Sequence, residues 1–125
     1  MSLRNPLSTA KGLGSAKDGT GHWWNQRLTA IALALLTPWF IYVSVGLLGA
    51  GQDQVRSAIA QPMTATLLSA FVLSLFWHAR LGLQVVVEDY VHGAAEVVLQ
   101  IIIKFVYALA AIAALLAIGR IVFTA

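Results

Sequence analysis

Three predominantly apolar runs, Leu28 to Leu48, Met63 to Val87 and Ala94 to Val122, limit this chain to very few folds. At about 1.5 Å per helical residue, each is long enough to cross a hydrocarbon core of about 30 Å. Pro38 interrupts the first run. Neighbouring helices can satisfy the carbonyl that a proline frees, so the run still reads as a kinked span. Only 10% of the 125 residues are charged and 59% are hydrophobic, whereas a soluble domain of this size carries roughly 25% charged residues. The spacing therefore predicts an all-α membrane protein of three antiparallel transmembrane helices, with spans at about 28–48, 63–87 and 94–122. The segment between Gly49 and Pro62 reads as a short polar connection, and Glu88 to Gly93 as a tight turn. Gly46, Gly49, Ala50 and the alanines between Ala108 and Ala114 are small enough to let helices approach closely.

Residues 1–26 form a Gly-, Ser- and Lys-rich tail without the apolar stretch of a secretory signal. Residues 27–125 make the transmembrane domain. Arg4, Lys11, Lys17 and Arg27 flank the first span, whereas the first loop carries Arg56 against Asp53. The positive-inside rule then puts the N-terminus and the second-to-third-helix turn on the cytoplasmic (or matrix) side. His22-Trp23-Trp24 fits an interfacial aromatic belt. With no cysteine, disulfides, thiolate metal sites and iron–sulfur clusters are excluded as intrinsic features. The basic residues are scattered, so no nucleic-acid-binding face forms. There is no phosphate loop, nucleophile–base pair or multi-histidine metal site, and the chain is not expected to catalyse a reaction alone.

One polar side chain stands out against this background. His78 lies inside the second run, where an ionisable group is costly and usually functional. It can hydrogen-bond a neighbouring helix, carry a proton, or ligate a haem iron through a neutral ring nitrogen. His22 precedes the first span and His92 lies in the turn, so neither reaches the depth of His78. A bis-histidine haem would need its second ligand from another polypeptide. Asp89 follows eleven residues later on the same helical face, about 16 Å nearer the interface. Tyr90, a third of a turn away, can hydrogen-bond a quinone carbonyl or serve only as a belt residue. Arg27 can neutralise a haem propionate or snorkel to phosphate. Arg80, about 200° round the helix from His78, points away from it.

Two motifs carry a resemblance. Arg27-Leu28-Thr29-Ala30-Ile31 resembles the R-x-T-A-I element of the smaller hydrophobic membrane anchor of succinate dehydrogenase, respiratory complex II. His78-Ala79-x-x-Gly82 followed by Asp89-Tyr90-Val91 is similar to that family's H-A-x-x-G…D-Y-V signature. The similarity extends from Arg27 to about Lys104. It implies pairing with a second hydrophobic anchor, also of three helices, and a membrane domain that holds a flavoprotein subunit and an iron–sulfur subunit. It also implies that His78 is one axial ligand of haem b and that Arg27 lies near the propionates. Tyr90 and Asp89 would then contact ubiquinone, which receives electrons from succinate and joins the tricarboxylic acid cycle to electron transport. The location implied is the bacterial inner membrane, in preference to the mitochondrial one. The competing expectation is a small transporter or proton-channel component that uses His78 and Asp89.

Overall fold

The computed structural model describes residues 19–125. Among these, all regular structure is helical, in four segments: α1 Gly19–Gly46, α2 Gln52–Ala60, α3 Pro62–Tyr90 and α4 Ala94–Thr124. Three stretches, Thr20–Gly46, Pro62–Tyr90 and Ala94–Thr124, are long and apolar enough to cross a membrane, which agrees with the three-span expectation. α1, α3 and α4 have 28, 29 and 31 residues, or about 42–47 Å each. That exceeds the hydrocarbon thickness, so the helices tilt or carry their ends into the headgroup layer.

The boundaries depart from expectation at three places, one of them the expected turn: α3 continues through Glu88 and Asp89 to Tyr90, so only Val91 to Gly93 separate it from α4. α1 begins at Gly19, so the last two turns of the supposed tail are helix, and α1 then runs unbroken through Pro38. The rest of the tail, with Arg4, Lys11, Lys17 and Asp18, lies outside the described residues. The polar connection also contains α2. Gln54 Oε1 accepts a hydrogen bond from the Gly51 N–H at 3.2 Å, and Asp53 in the first turn complements the helix dipole. Arg56 Nη2 donates to Thr124 Oγ1 at 3.2 Å, which ties α2 to the end of α4. Gln61 is extended and Pro62 opens α3, since proline favours an extended predecessor and suits a first helical position.

α3 is the middle element. It packs against α1 on one side and α4 on the other, and α1 and α4 do not meet. On the α1 side, Phe40 stacks on Phe71 with ring centroids 4.5 Å apart. On the α4 side, Phe76 meets the Tyr107 ring edge-on at 6.1 Å, and Gln100 Nε2 donates to the Gln84 carbonyl at 3.2 Å. A row of three helices encloses little. Among the described residues only Phe71, Leu81, Val87, Ile103 and Ile118 are buried. Leu35, Leu48, Phe105, Leu116 and many other large apolar side chains are exposed, a surface suited to lipid and to other helices.

Gly46 and Gly49 do not mark a close helix approach within the chain, because an added Cβ at either would meet nothing within 4 Å. Gly93 has a different duty. It joins α3 to α4 at φ 75°, ψ −148°, a region that essentially only glycine adopts.

Candidate functional site

His78 is half-buried on the α1-facing side of α3. It lies twelve residues before the end of the helix at Tyr90, or about 18 Å along it. Its Nδ1 is 3.0 Å from Oγ1 of Thr29 on α1. Thr29 is a mid-helix threonine whose hydroxyl also lies 2.8 Å from the Asn25 carbonyl and 3.1 Å from that of Gln26. Such back-bonding to the preceding turn is a usual way for threonine to satisfy its proton in a helix. His78 Nε2 makes no hydrogen bond among the described residues.

Below Thr29, towards the start of α1, two more polar side chains share its face. Gln26 is three residues before it and His22 seven, a spacing that puts them within about 60° of Thr29 round the helix. His22 Nε2 and Gln26 Oε1 are both buried without a hydrogen-bond partner among the described residues. Buried polar atoms of this kind call for a hydrogen-bond partner. Arg27 leaves the helix on the other side, about 200° from Thr29, with its guanidinium 5.3 Å from the centre of the Trp23 ring. The structure therefore does not bring Arg27 to His78.

Asp89 and Tyr90 close α3 and are both exposed, Tyr90 at 82%. Neither side chain hydrogen-bonds another described residue. Glu88 beside them accepts from Gln84 Nε2 at 2.9 Å. His78 and Asp89 share a face of α3 but are separated by about 16 Å of helix. Among the described residues no group of three or more histidine, aspartate or glutamate side chains converges. Arg80 turns towards α4, as its angular offset from His78 requires. With Lys104 it borders a groove of about 340 Å³ walled by Phe76, Trp77 and Tyr107.

Sequence reasoning did not single out Thr29, although it lies in one of the motifs quoted. A hydroxyl at the depth of an intramembrane histidine on the adjacent span was the available signal. It gave no role to Gln26 and placed His22 only in the interfacial belt.

A family model described as "Succinate dehydrogenase/Fumarate reductase transmembrane subunit" matches residues 1–117. The chain is 32% identical over 122 residues to the succinate dehydrogenase hydrophobic membrane anchor subunit of Paracoccus denitrificans, covering 95% of each chain. It is 36% identical over 89 residues to the hydrophobic membrane anchor subunit of Rickettsia bellii, 71% of each. It is 35% identical over 80 residues to the succinate dehydrogenase membrane anchor subunit of Reclinomonas americana, 62% of this chain and 67% of that one. No solved structure matches it.

Proposed function

The chain belongs to the succinate dehydrogenase/fumarate reductase transmembrane subunit family, and we propose that it is the membrane anchor of a succinate:quinone oxidoreductase. In this reading it supplies one axial histidine to haem b and part of a ubiquinone-reduction site. It is a multi-pass membrane protein, assigned here to the bacterial inner membrane with the N-terminal side cytoplasmic. Its partners are a second three-helix anchor, an iron–sulfur subunit and a flavoprotein subunit.

One observation carries the haem assignment. His78 stands at mid-helix depth with Nδ1 engaged by Thr29 and Nε2 unpartnered among the described residues. The surrounding donor set fits the group. His78 offers a ring nitrogen to an iron, while His22 and Gln26, on the same side of α1 as Thr29, offer buried unpaired polar atoms to carboxylates or water. Arg27 adds positive charge at this end of the helix for the propionates, from the Trp23 side. When bound, the haem supplies a one-electron store beside the quinone. The second ligand comes from the partner anchor, because His22 and His92 lie at other depths.

Tyr90 and Asp89 form the quinone-facing part. The Tyr90 hydroxyl, exposed and without a partner among the described residues, donates a hydrogen bond to a quinone carbonyl oxygen. The Asp89 carboxylate, next to it at the headgroup level, relays protons from the aqueous side. The chain thus holds, orients and protonates, and the electrons arrive through partner subunits.

Reduced-minus-oxidised absorbance spectra of the purified complex test the haem assignment. A b-type band is expected in the wild-type complex and none in His78→Ala. A complex without haem, or a band that survives the substitution, removes the reading. For the quinone site, Tyr90→Phe is expected to lower quinone reductase activity about tenfold with the complex still assembled. That is the effect of losing a hydrogen bond of about 1.4 kcal/mol in the transition state. Unchanged activity would leave the chain a purely structural anchor.

A further inference from the structure

We propose that Thr29 is a positioning residue for His78: its hydroxyl oxygen accepts the Nδ1–H of the imidazole, and so presents Nε2 as a bare lone pair. The inference rests on the haem reading above and adds to it the tautomer, the ligating atom and the residue that selects them.

The hydrogen-bond count decides the direction of the 3.0 Å contact between Thr29 Oγ1 and His78 Nδ1. A threonine hydroxyl has one proton and two lone pairs. Two carbonyl oxygens of its own helix, those of Asn25 and Gln26, lie 2.8 and 3.1 Å from that oxygen. If the hydroxyl proton goes to these carbonyls, a lone pair remains to accept from Nδ1–H, and both contacts are satisfied. If the hydroxyl instead donates to a bare Nδ1, the carbonyl contact is lost. The imidazole proton then sits on Nε2, where no described residue accepts it. At this depth no bulk water can take its place, and an orphaned N–H donor is rarer in folded proteins than an under-used acceptor. The arrangement with more bonds is therefore Nδ1–H to Thr29 and a free lone pair on Nε2.

That is the state an axial ligand needs. A metal-bound histidine usually donates its other ring N–H to an oxygen, which fixes ring orientation and raises ligand basicity. Thr29 and His78 belong to different helices, so the contact also aligns α1 with α3 at the ligand's level. It gives a physical reason for a threonine two residues after Arg27. A threonine that back-bonds into its own helix is held as an acceptor, whereas a freely rotating hydroxyl can accept or donate.

Thr29→Val keeps the shape and removes the acceptor, and Thr29→Ser restores it. In the purified complex, Thr29→Val is expected to weaken haem retention about 10–100-fold and to raise the haem midpoint potential, because a less basic ligand stabilises ferric iron less. Thr29→Ser is expected to return both towards wild type. Assembly is followed separately, by co-purification of the soluble subunits and by succinate oxidation with a water-soluble acceptor. Both are expected to be unchanged. If the wild-type band is present, lost in His78→Ala, and unchanged in retention and potential in Thr29→Val, this inference fails while the haem reading stands. If the wild-type complex has no band, the haem reading itself fails. Infrared redox-difference spectra of the wild-type complex with 15N-labelled histidine need no variant. They are expected to include an axial imidazole protonated at Nδ1. Spectra showing only Nδ1-ligated or Nδ1-deprotonated imidazole overturn the inference whatever the variants do.

Discussion

Towards α1, α3 presents Phe71 and His78; towards α4 it presents Phe76 and the carbonyl of Gln84. Both seams contain an aromatic pair and a polar contact between helices, the Thr29–His78 pair on one side and the Gln100–Gln84 pair on the other. The chemistry differs. On the α4 side a side-chain amide donates to a main-chain carbonyl, and every atom involved is ordinary packing material. On the α1 side both partners are side chains, one of them is a histidine, and its second ring nitrogen has no partner among the described residues. Two more buried polar atoms, on His22 and Gln26, continue that side towards the end of α1. A membrane helix can thus hold a neighbour on both sides and keep its unsatisfied polar atoms to one of them.

The largest expected effect that tests this contrast comes from the polar pairs themselves. His78→Ala should remove the b-type absorbance band completely. Gln100→Leu, which breaks the corresponding contact on the α4 seam, should leave the band in place. Loss of the band in both would mean that the seams are not separate. Next in size is Gly93→Ala at the turn that joins the α4 seam. Its positive φ costs a non-glycine residue about 1–3 kcal/mol, although an added Cβ meets open space. Thermal melting of the complex should shift downward while the haem spectrum stays unchanged. The smallest effect is expected at the aromatic pairs. Phe40→Leu should cost about 0.5–1.5 kcal/mol of stacking and slightly weaken haem retention, because it loosens the α1 seam. Phe76→Leu should cost a comparable amount of stability and leave retention unaltered.

The spans were legible in the sequence because hydropathy and length report directly on the cost of backbone and side chains in hydrocarbon. The same logic explains what it missed. Gly19 to Gln26 is helix, yet His22, Asn25 and Gln26 make it polar, and a hydropathy reading stops where a helix leaves the hydrocarbon. α2 is short and carries Gln52, Asp53, Gln54 and Arg56. Its helical signal was the spacing of Val55, Ala58 and Ile59 behind Asp53 in the first turn. His78 could be picked out because a histidine in an apolar run is conspicuous by itself. Thr29 could not, since threonine is common in membrane helices and only its register against α3 gives it meaning. Arg27 shows the converse. Its motif suggested a place near the haem propionates, and what the fold adds is the side from which it would reach them, that of Trp23.

The row-like arrangement has a consequence for how the chain is made. Each span-to-span interface joins α3 to the span just before or just after it in sequence, and the backbones of α1 and α4 do not approach closely. Synthesis from the N-terminus therefore delivers the helices in the order in which they dock. Once α3 enters the membrane it meets α1, and Thr29 can engage His78 before α4 is made. α4 then adds to the free side of α3 through the turn at Gly93. Contacts between neighbours in sequence close quickly, because little chain must be ordered before they form. The seam that contains His78 can therefore be complete at an earlier stage of synthesis than the seam between α3 and α4.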